Sequence, residues 1–290
     1  MTTARRLREL LARPGILTTL GVHDAFTARI AEQAGVEAVF VGGFGVAASA
    51  FGLPDVGLVT LSEMAEAIAR IAGRVQIPVI GDGDTGHGDL HNVVRTVREF
   101  ERAGAAGLLL EDQVSPKRCG HFEGKQVIPA EEMVRKLRVA LSARRDPDFV
   151  VIARTDARAV EGIDQAVDRA RRYAAAGADV CFVEAPQSVE ELQRIPKEVS
   201  RPLLANMLTG GVTPILSVEE LGRLGYKIAV CPIETLLVAG AAVRKLIDAW
   251  LTAGRVEAGG ELLTFTEVKE LLGLREILSV GDGSDRREAR

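Results

Sequence analysis

A chain of 290 residues with 47% hydrophobic and 26% charged side chains can bury a full core and sits at the upper end of single-domain size. Its 36 Lys+Arg against 40 Asp+Glu leave a net charge of -4, which argues against a general polyanion-binding surface and so against nucleic acid as a partner. No apolar run approaches the roughly 20 residues of a spanning helix, and the start MTTARRLRELLARPG has no apolar signal-peptide core, so a cytoplasmic protein without a membrane role is expected.

Eight short apolar runs of strand length follow one another: GILTTLG (15–21), EAVFVGG (37–43), IPVIGDGD (77–84), AGLLLED (106–112), DFVVIARTDA (148–157), ADVCFVEAP (178–186), RPLLANM (201–207) and YKIAVCPI (226–233). Segments of helical spacing stand between them, among them LSEMAEAIARIAG, LHNVVRTVREFERAG and AEEMVRKLRVALSARR. Several of these helices close on Ala-Gly just before the next run (EQAG, ERAG, YAAAG), where glycine can take the left-handed cap conformation. Continuously apolar strands are those covered on both faces, and eight in regular succession predict an α/β fold of (β/α)8 TIM-barrel type, with a doubly wound open sheet as the alternative. The expected organisation is one domain over 1–290, the barrel over about 15–253, a C-terminal helical extension over about 254–280, and a disordered tail over 281–290. An apolar helix beyond a completed barrel must cover its face somewhere, which suggests packing on another subunit.

In such a barrel the chemistry gathers at the strand C-termini. The polar residues and glycines there are His23 and Asp24, Gly42 and Gly43, Asp82 and Asp84, Glu111 and Asp112, Arg154 with Thr155 and Asp156, Glu184, and Asn206. Asp82, Asp84 and Glu111 form an oxygen-only cluster from adjacent strand ends, which suits a magnesium ion that keeps several waters. A single aspartate beside glycines commonly just caps a turn, but three crowded carboxylates repel one another and call for a cation. Arg154 is a candidate clamp for a substrate carboxylate, with pairing to Glu184 or Asp156 as the plain structural alternative. Asn206 could serve the same anion. Asp55 reads equally as a turn residue after Pro54, and His23 and His87 as ordinary loop histidines.

Three cysteines without close pairs indicate neither a disulfide framework nor a zinc site. Cys181 and Cys231 lie in apolar runs and read as buried small residues. Cys119 differs: in EDQVSPKRCGHFEGK it stands beside Lys117, Arg118, Gly120 and His121, in a loop that reads as a lid. Those cations, with a protonated His121, are expected to lower the thiol pKa. Whether the sulfur is a nucleophile or a proton carrier is left open by spacing alone.

Taken in order, GLPDVG, GDGDTGHGD, EDQVSPKRCGH, VIARTDAR, FVEAP and LLANMLTGGVTP resemble the isocitrate lyase and phosphoenolpyruvate mutase superfamily, most of all its 2-methylisocitrate lyases, dimethylmalate lyases and petal-death-type lyases. The resemblance implies a magnesium-dependent barrel, with manganese as a substitute, whose last helix is exchanged between subunits of a homotetramer built from dimers. It implies cleavage of a 2-hydroxy di- or tricarboxylate to a 2-oxo acid and a second carboxylic acid. A phosphonomutase of the carboxyphosphonoenolpyruvate type and an oxaloacetate decarboxylase or hydrolase are the alternatives. By position Asp82 matches the direct metal ligand, Asp84 and Glu111 hold metal-bound waters, and Asp55, Arg154, Glu184 and Asn206 match substrate or metal-shell positions. Cys119 matches the acid/base thiol, with Lys117, Arg118, Gly120 and His121 around the developing negative charge. The chain departs from the pattern at Phe40, Gly42 and Phe44, where many relatives carry hydroxyls. That leaves the base for the substrate hydroxyl unassigned, the Gly42 and Gly43 N–H groups free for a carboxylate, and Phe44 as an apolar wall near a substrate alkyl group.

Overall fold

The structure, a computed structural model, describes residues 1–255 and 262–284. Eight parallel strands, β1 (Leu17–Gly21), β2 (Val39–Val41), β3 (Val79–Asp82), β4 (Gly107–Glu111), β5 (Val150–Thr155), β6 (Val180–Val183), β7 (Leu203–Asn206) and β8 (Ile228–Cys231), close into a barrel in sequence order. β1 pairs with both β2 and β8, so the open-sheet alternative is excluded. Helices cross between strands, and the expected cap glycines Gly35, Gly104 and Gly177 do have positive φ values of 90°, 90° and 104°.

Strand alternation divides the apolar residues between two cores. Val79, Leu108, Val151, Ala153, Cys181 and Val183 face the surrounding helices. Ile80, Leu109, Val150, Ile152, Val180, Phe182 and Leu204 fill the barrel interior. The period of two then dictates what stands at the upper rim. Two residues beyond the last inward apolar position of these strands lie Asp82, Glu111, Arg154, Glu184 and Asn206. At the other end, the amphipathic helix Thr3–Ala12 closes the barrel with Leu7 and Leu10, which join the interior core. Ten residues make too short a helix to be stable alone, but burying these two leucines contributes roughly 1.5–3 kcal/mol each.

The final helices, Glu234–Ala253, Phe265–Leu271 and Leu274–Ser284, leave large apolar side chains exposed: Leu251 is 78%, Phe265 79% and Val280 76% accessible. Only Leu271 is buried in the second of them, where its carbonyl accepts from Arg29 of the helix Ala25–Gln33. Of the expected tail, 281–284 complete the last helix and 285–290 lie outside the described residues, as does 256–261 of the extension. Among the described residues, no helix is long and apolar enough to cross a membrane.

Candidate active site

A cavity opens at the strand C-termini. Two chemistries line it. The polar lining comprises Asp55, Asp82, Lys117, Arg118, Cys119, His121, Arg154, Glu184 and Asn206, and the apolar lining includes Phe40, Phe44, Phe182, Leu208 and Ile233. Gly42, Gly43 and Gly120 complete the rim, so nearly all the expected site residues meet here. Asp84, Glu111, His23 and His87 do not line it.

The lid follows β4. Its stem is a short antiparallel ribbon: Gln113 bridges Val127, Val114 N–H donates to the Gln126 carbonyl, and Ile128 N–H to that of Asp112. The Gln113 side chain braces the loop by bonding both the carbonyl and the N–H of Arg118. The lid is shut over the cavity, with Cys119 N–H 3.3 Å from the Asp55 carbonyl.

Burial makes the carboxylates at the rim unusual. Asp84 has a left-handed backbone, φ 46°, which brings its own N–H to Asp82 Oδ1 at 3.1 Å. Desolvation, with Asp82 beside it, pushes Asp84 up to about 7 against the opposing pull of Lys117. Glu111 is likewise held well above the usual carboxylate range, chiefly by burial. Lys117 Nζ bonds Asp55 Oδ1 at 2.5 Å and lies 2.8 Å from Asp84 Oδ1, and these acids raise its pKa although burial acts to lower it. The buried Glu111 Oε1, by contrast, has no hydrogen-bond partner among the described residues. Among the described residues, no three His, Cys, Asp or Glu side chains converge to ligate one ion by themselves. A cage of direct carboxylate ligands is therefore not what the rim offers. An unpartnered oxygen on Glu111, with the buried carboxylates Asp82 and Asp84 at the same rim, fits a cation with its own waters.

Arg154 satisfies all of its proposed partners at once. Its Nε and Nη2 bond Asp156 at 2.8 and 2.9 Å, its Nη1 lies 3.3 Å from Glu184, its Nε lies 3.4 Å from Glu111, and its guanidinium stands 5.6 Å from the Phe182 ring centre. Burial would raise Glu184, but Arg154, His121 and Lys125 overcome it and hold that carboxyl at about 2. Asn206 Nδ2 points at Glu184 Oε1, 3.5 Å away.

Three expectations are corrected. The Cys119 thiol is pushed up, not down: burial dominates, Asp55 and Glu184 add to it, and the His121 N–H and Arg154 only partly offset it. The cations next to it in sequence point elsewhere, Lys117 to Asp55 and Asp84, Arg118 to the Glu123 carbonyl. His121 Nδ1 accepts from Val212 N–H at 3.3 Å, and its Nε2 lies 3.4 Å from Glu184. Second, the Gly43 N–H is already used, donating to Asp82 Oδ2 at 3.0 Å. Third, Asp112 and Thr155 fall on outward strand positions. There Asp112 takes hydrogen bonds from Thr155, Tyr173, Arg169 and the Asp156 N–H, anchoring the rim from behind. The absent hydroxyls of β2 have a packing counterpart: a Cβ on Gly42 would stand 3.2 Å from Cε1 of the Phe40 ring.

Sequence reasoning missed Lys125, whose ammonium is buried against Asp156. It also missed Leu208, Phe182 and Ile233 of the apolar wall. Nothing local marks Lys125, which reads as one more lid cation.

A family model described as phosphoenolpyruvate phosphomutase matches residues 7–251. The chain is 44% identical to 2,3-dimethylmalate lyase of Eubacterium barkeri, covering 97% of each chain, and 43% identical to 2-methylisocitrate lyase of Aeropyrum pernix, covering 93% of this chain and 87% of that one. Among solved structures it is similar to oxaloacetate acetylhydrolase in complex with 3,3-difluorooxalacetate, with TM-score 0.94, 34% identity and coverage of 98% and 97%. It is also similar to phosphonopyruvate hydrolase in complex with oxalate and Mg++, with TM-score 0.87, 30% identity and coverage of 97% and 98%. With a closed barrel, a rim of carboxylates and a cysteine-bearing lid in place, the chain belongs to the phosphoenolpyruvate mutase/isocitrate lyase superfamily.

Proposed function

We propose that this protein is a carbon–carbon lyase that cleaves a 2-hydroxy di- or tricarboxylate of the dimethylmalate or 2-methylisocitrate type into a 2-oxo acid and a second carboxylic acid. One observation carries the reading: the half-buried thiol of Cys119, kept in its protonated form, lines the same cavity as Arg154 and the carboxylate rim. A protonated donor is what the carbon released by C–C cleavage requires. The fold alone would not decide this, since relatives on the same barrel carry different activities in their names.

Asp82, with Asp84 and Glu111 around it and Asp55 at the edge, would hold magnesium, or manganese in its place. The unpartnered buried oxygen of Glu111 supports this, and so does the Mg++ complex of the hydrolase relative. When bound, the ion supplies positive charge to the carbonyl and carboxylate of the 2-oxo acid portion. Arg154, Asn206 and Glu184 orient the substrate carboxylates. The carboxylates around Glu111 take the hydroxyl proton, because Phe40, Gly42 and Phe44 offer no hydroxyl for it. The negative charge growing beside the second carboxylate is met by Gly120 and His121 at the lid tip, while Lys117 and Arg118 brace the lid through Asp55, Asp84 and the Glu123 carbonyl; the lid also excludes water. Cys119 then delivers its proton to carbon, and Phe44 walls the alkyl side of the pocket.

The assembly belongs to the same reading. The exposed Trp250, Leu251, Phe265 and Ile277 support exchange of the C-terminal helices between subunits of a homotetramer. A single domain, with its barrel over 15–253, is consistent with one continuous outer core. A reducing, cytoplasmic setting follows from the need to keep Cys119 free. The test is a panel of 2-hydroxy di- and tricarboxylates assayed for 2-oxo acid release, with and without chelator, on the wild type and Cys119→Ser. Release by the wild type with magnesium and near-complete loss in the variant is expected; unchanged turnover by Cys119→Ser would overturn the assignment.

A further inference from the structure

The lid is fixed at both ends by lysines, but only one of them belongs to the cavity. Lys117 reaches the carboxylate rim and lines the pocket, whereas Lys125 does not line it. Lys125 is the last residue of the lid loop, next to the ribbon residues Gln126 and Val127. Its side chain is 2% exposed and faces Asp156, which is 0% exposed, at 3.1 Å. The same ammonium donates to the carbonyl of Gly120, the residue after Cys119. Asp156 in turn holds Nε and Nη2 of Arg154, and its own N–H is held by Asp112. One ammonium thus ties the tip of the shut lid to the carboxylate that aims the arginine.

We propose that Lys125 is a positioning residue: a post fixed on the barrel by Asp156 that captures the Gly120 carbonyl when the lid closes, holding Cys119 over the cavity while it keeps Arg154 in place. Three features of the site support this. Burying an ammonium is unfavourable unless it is paired and hydrogen-bonded, and here the partners are the Gly120 carbonyl of the lid and the Asp156 carboxylate. The bond to Gly120 is made with Cys119 over the cavity, and an opening that carries Gly120 away from Asp156 would lose it, so the interaction favours the closed arrangement. Losing the ammonium also leaves Asp156 with Arg154 as its sole buried cation, which draws the guanidinium toward Asp156 and away from Glu184. The inference rests on the proposed lid but not on the identity of the substrate.

The test uses the full-length protein with magnesium and measures iodoacetamide labelling of each cysteine by peptide mass spectrometry in wild type, Lys125→Met and Lys125→Arg. Cys181, 0% exposed inside the fold, is the internal control for global loosening. The expected result is a roughly tenfold faster modification of Cys119 in Lys125→Met with Cys181 still protected, reflecting a lid that loses its closed-state partner. Lys125→Arg, which keeps the charge, should recover most of the protection. In turnover, Lys125→Met should lower kcat with a smaller change in KM. Equal Cys119 labelling in wild type and Lys125→Met overturns the proposal. So does an arginine variant that behaves like methionine, or Cys181 becoming reactive together with Cys119, which would make Lys125 a residue of fold stability instead.

Discussion

Substituting Gly120 by alanine tests the closed geometry at its tightest point. A Cβ there would stand 2.4 Å from Nη2 of Arg154 and 2.7 and 2.8 Å from Cγ and Cδ of Glu184, where ordinary contact begins near 3.4 Å. The arginine has nowhere to go, being held by two bonds to Asp156 with the Phe182 ring beside it. Glu184 is fixed by the Ala185 N–H and by Arg154. The lid therefore backs away by about 1 Å, and a misplacement of that size at a reacting group costs on the order of 100-fold in rate. With 2-oxo acid release coupled to a dehydrogenase, Gly120→Ala should lose about 100-fold in kcat while KM changes little. The melting temperature should stay close to that of wild type, because the collision exists only with the lid shut. Wild-type turnover by Gly120→Ala would show that catalysis does not pass through this closed arrangement.

Two other outcomes follow from the same structure. Because burial raises the Cys119 pKa, the proton-bearing form prevails at neutral pH and is lost only as pH rises past the ordinary thiol value of about 8.5. The basic limb of kcat, and of Cys119 alkylation, should therefore lie above that pH; a limb between 7 and 8 tracking Cys119 alkylation would mean that the neighbouring cations win after all. Replacing Trp250 and Leu251 by glutamate puts charge on an apolar face and should reduce the mass seen by light scattering to that of a smaller assembly. A wild-type chain that is already monomeric at micromolar concentration would remove the helix-exchange reading.

The chain alone determined a good deal here. Eight apolar runs at a steady beat, each followed by a helical segment and often an Ala-Gly cap, leave little besides a closed parallel barrel, because local periodicity and end signals are written in neighbouring residues. The inventory of the rim was legible for the same reason: strand C-termini are where polar residues interrupt apolar runs. What the tertiary structure decided was pairing and burial. Asp112 and Asp82 look alike in sequence, yet strand parity turns one outward to anchor Asp156 and the other inward to the cavity. Lys117 and Arg118 adjoin Cys119 along the chain, but their charges are spent on Asp55, Asp84 and a carbonyl, so desolvation rules the thiol. Lys125 matters through Asp156, 31 positions away. Electrostatic effects depend on distance through space and on exclusion of water, and neither is encoded in spacing along the chain.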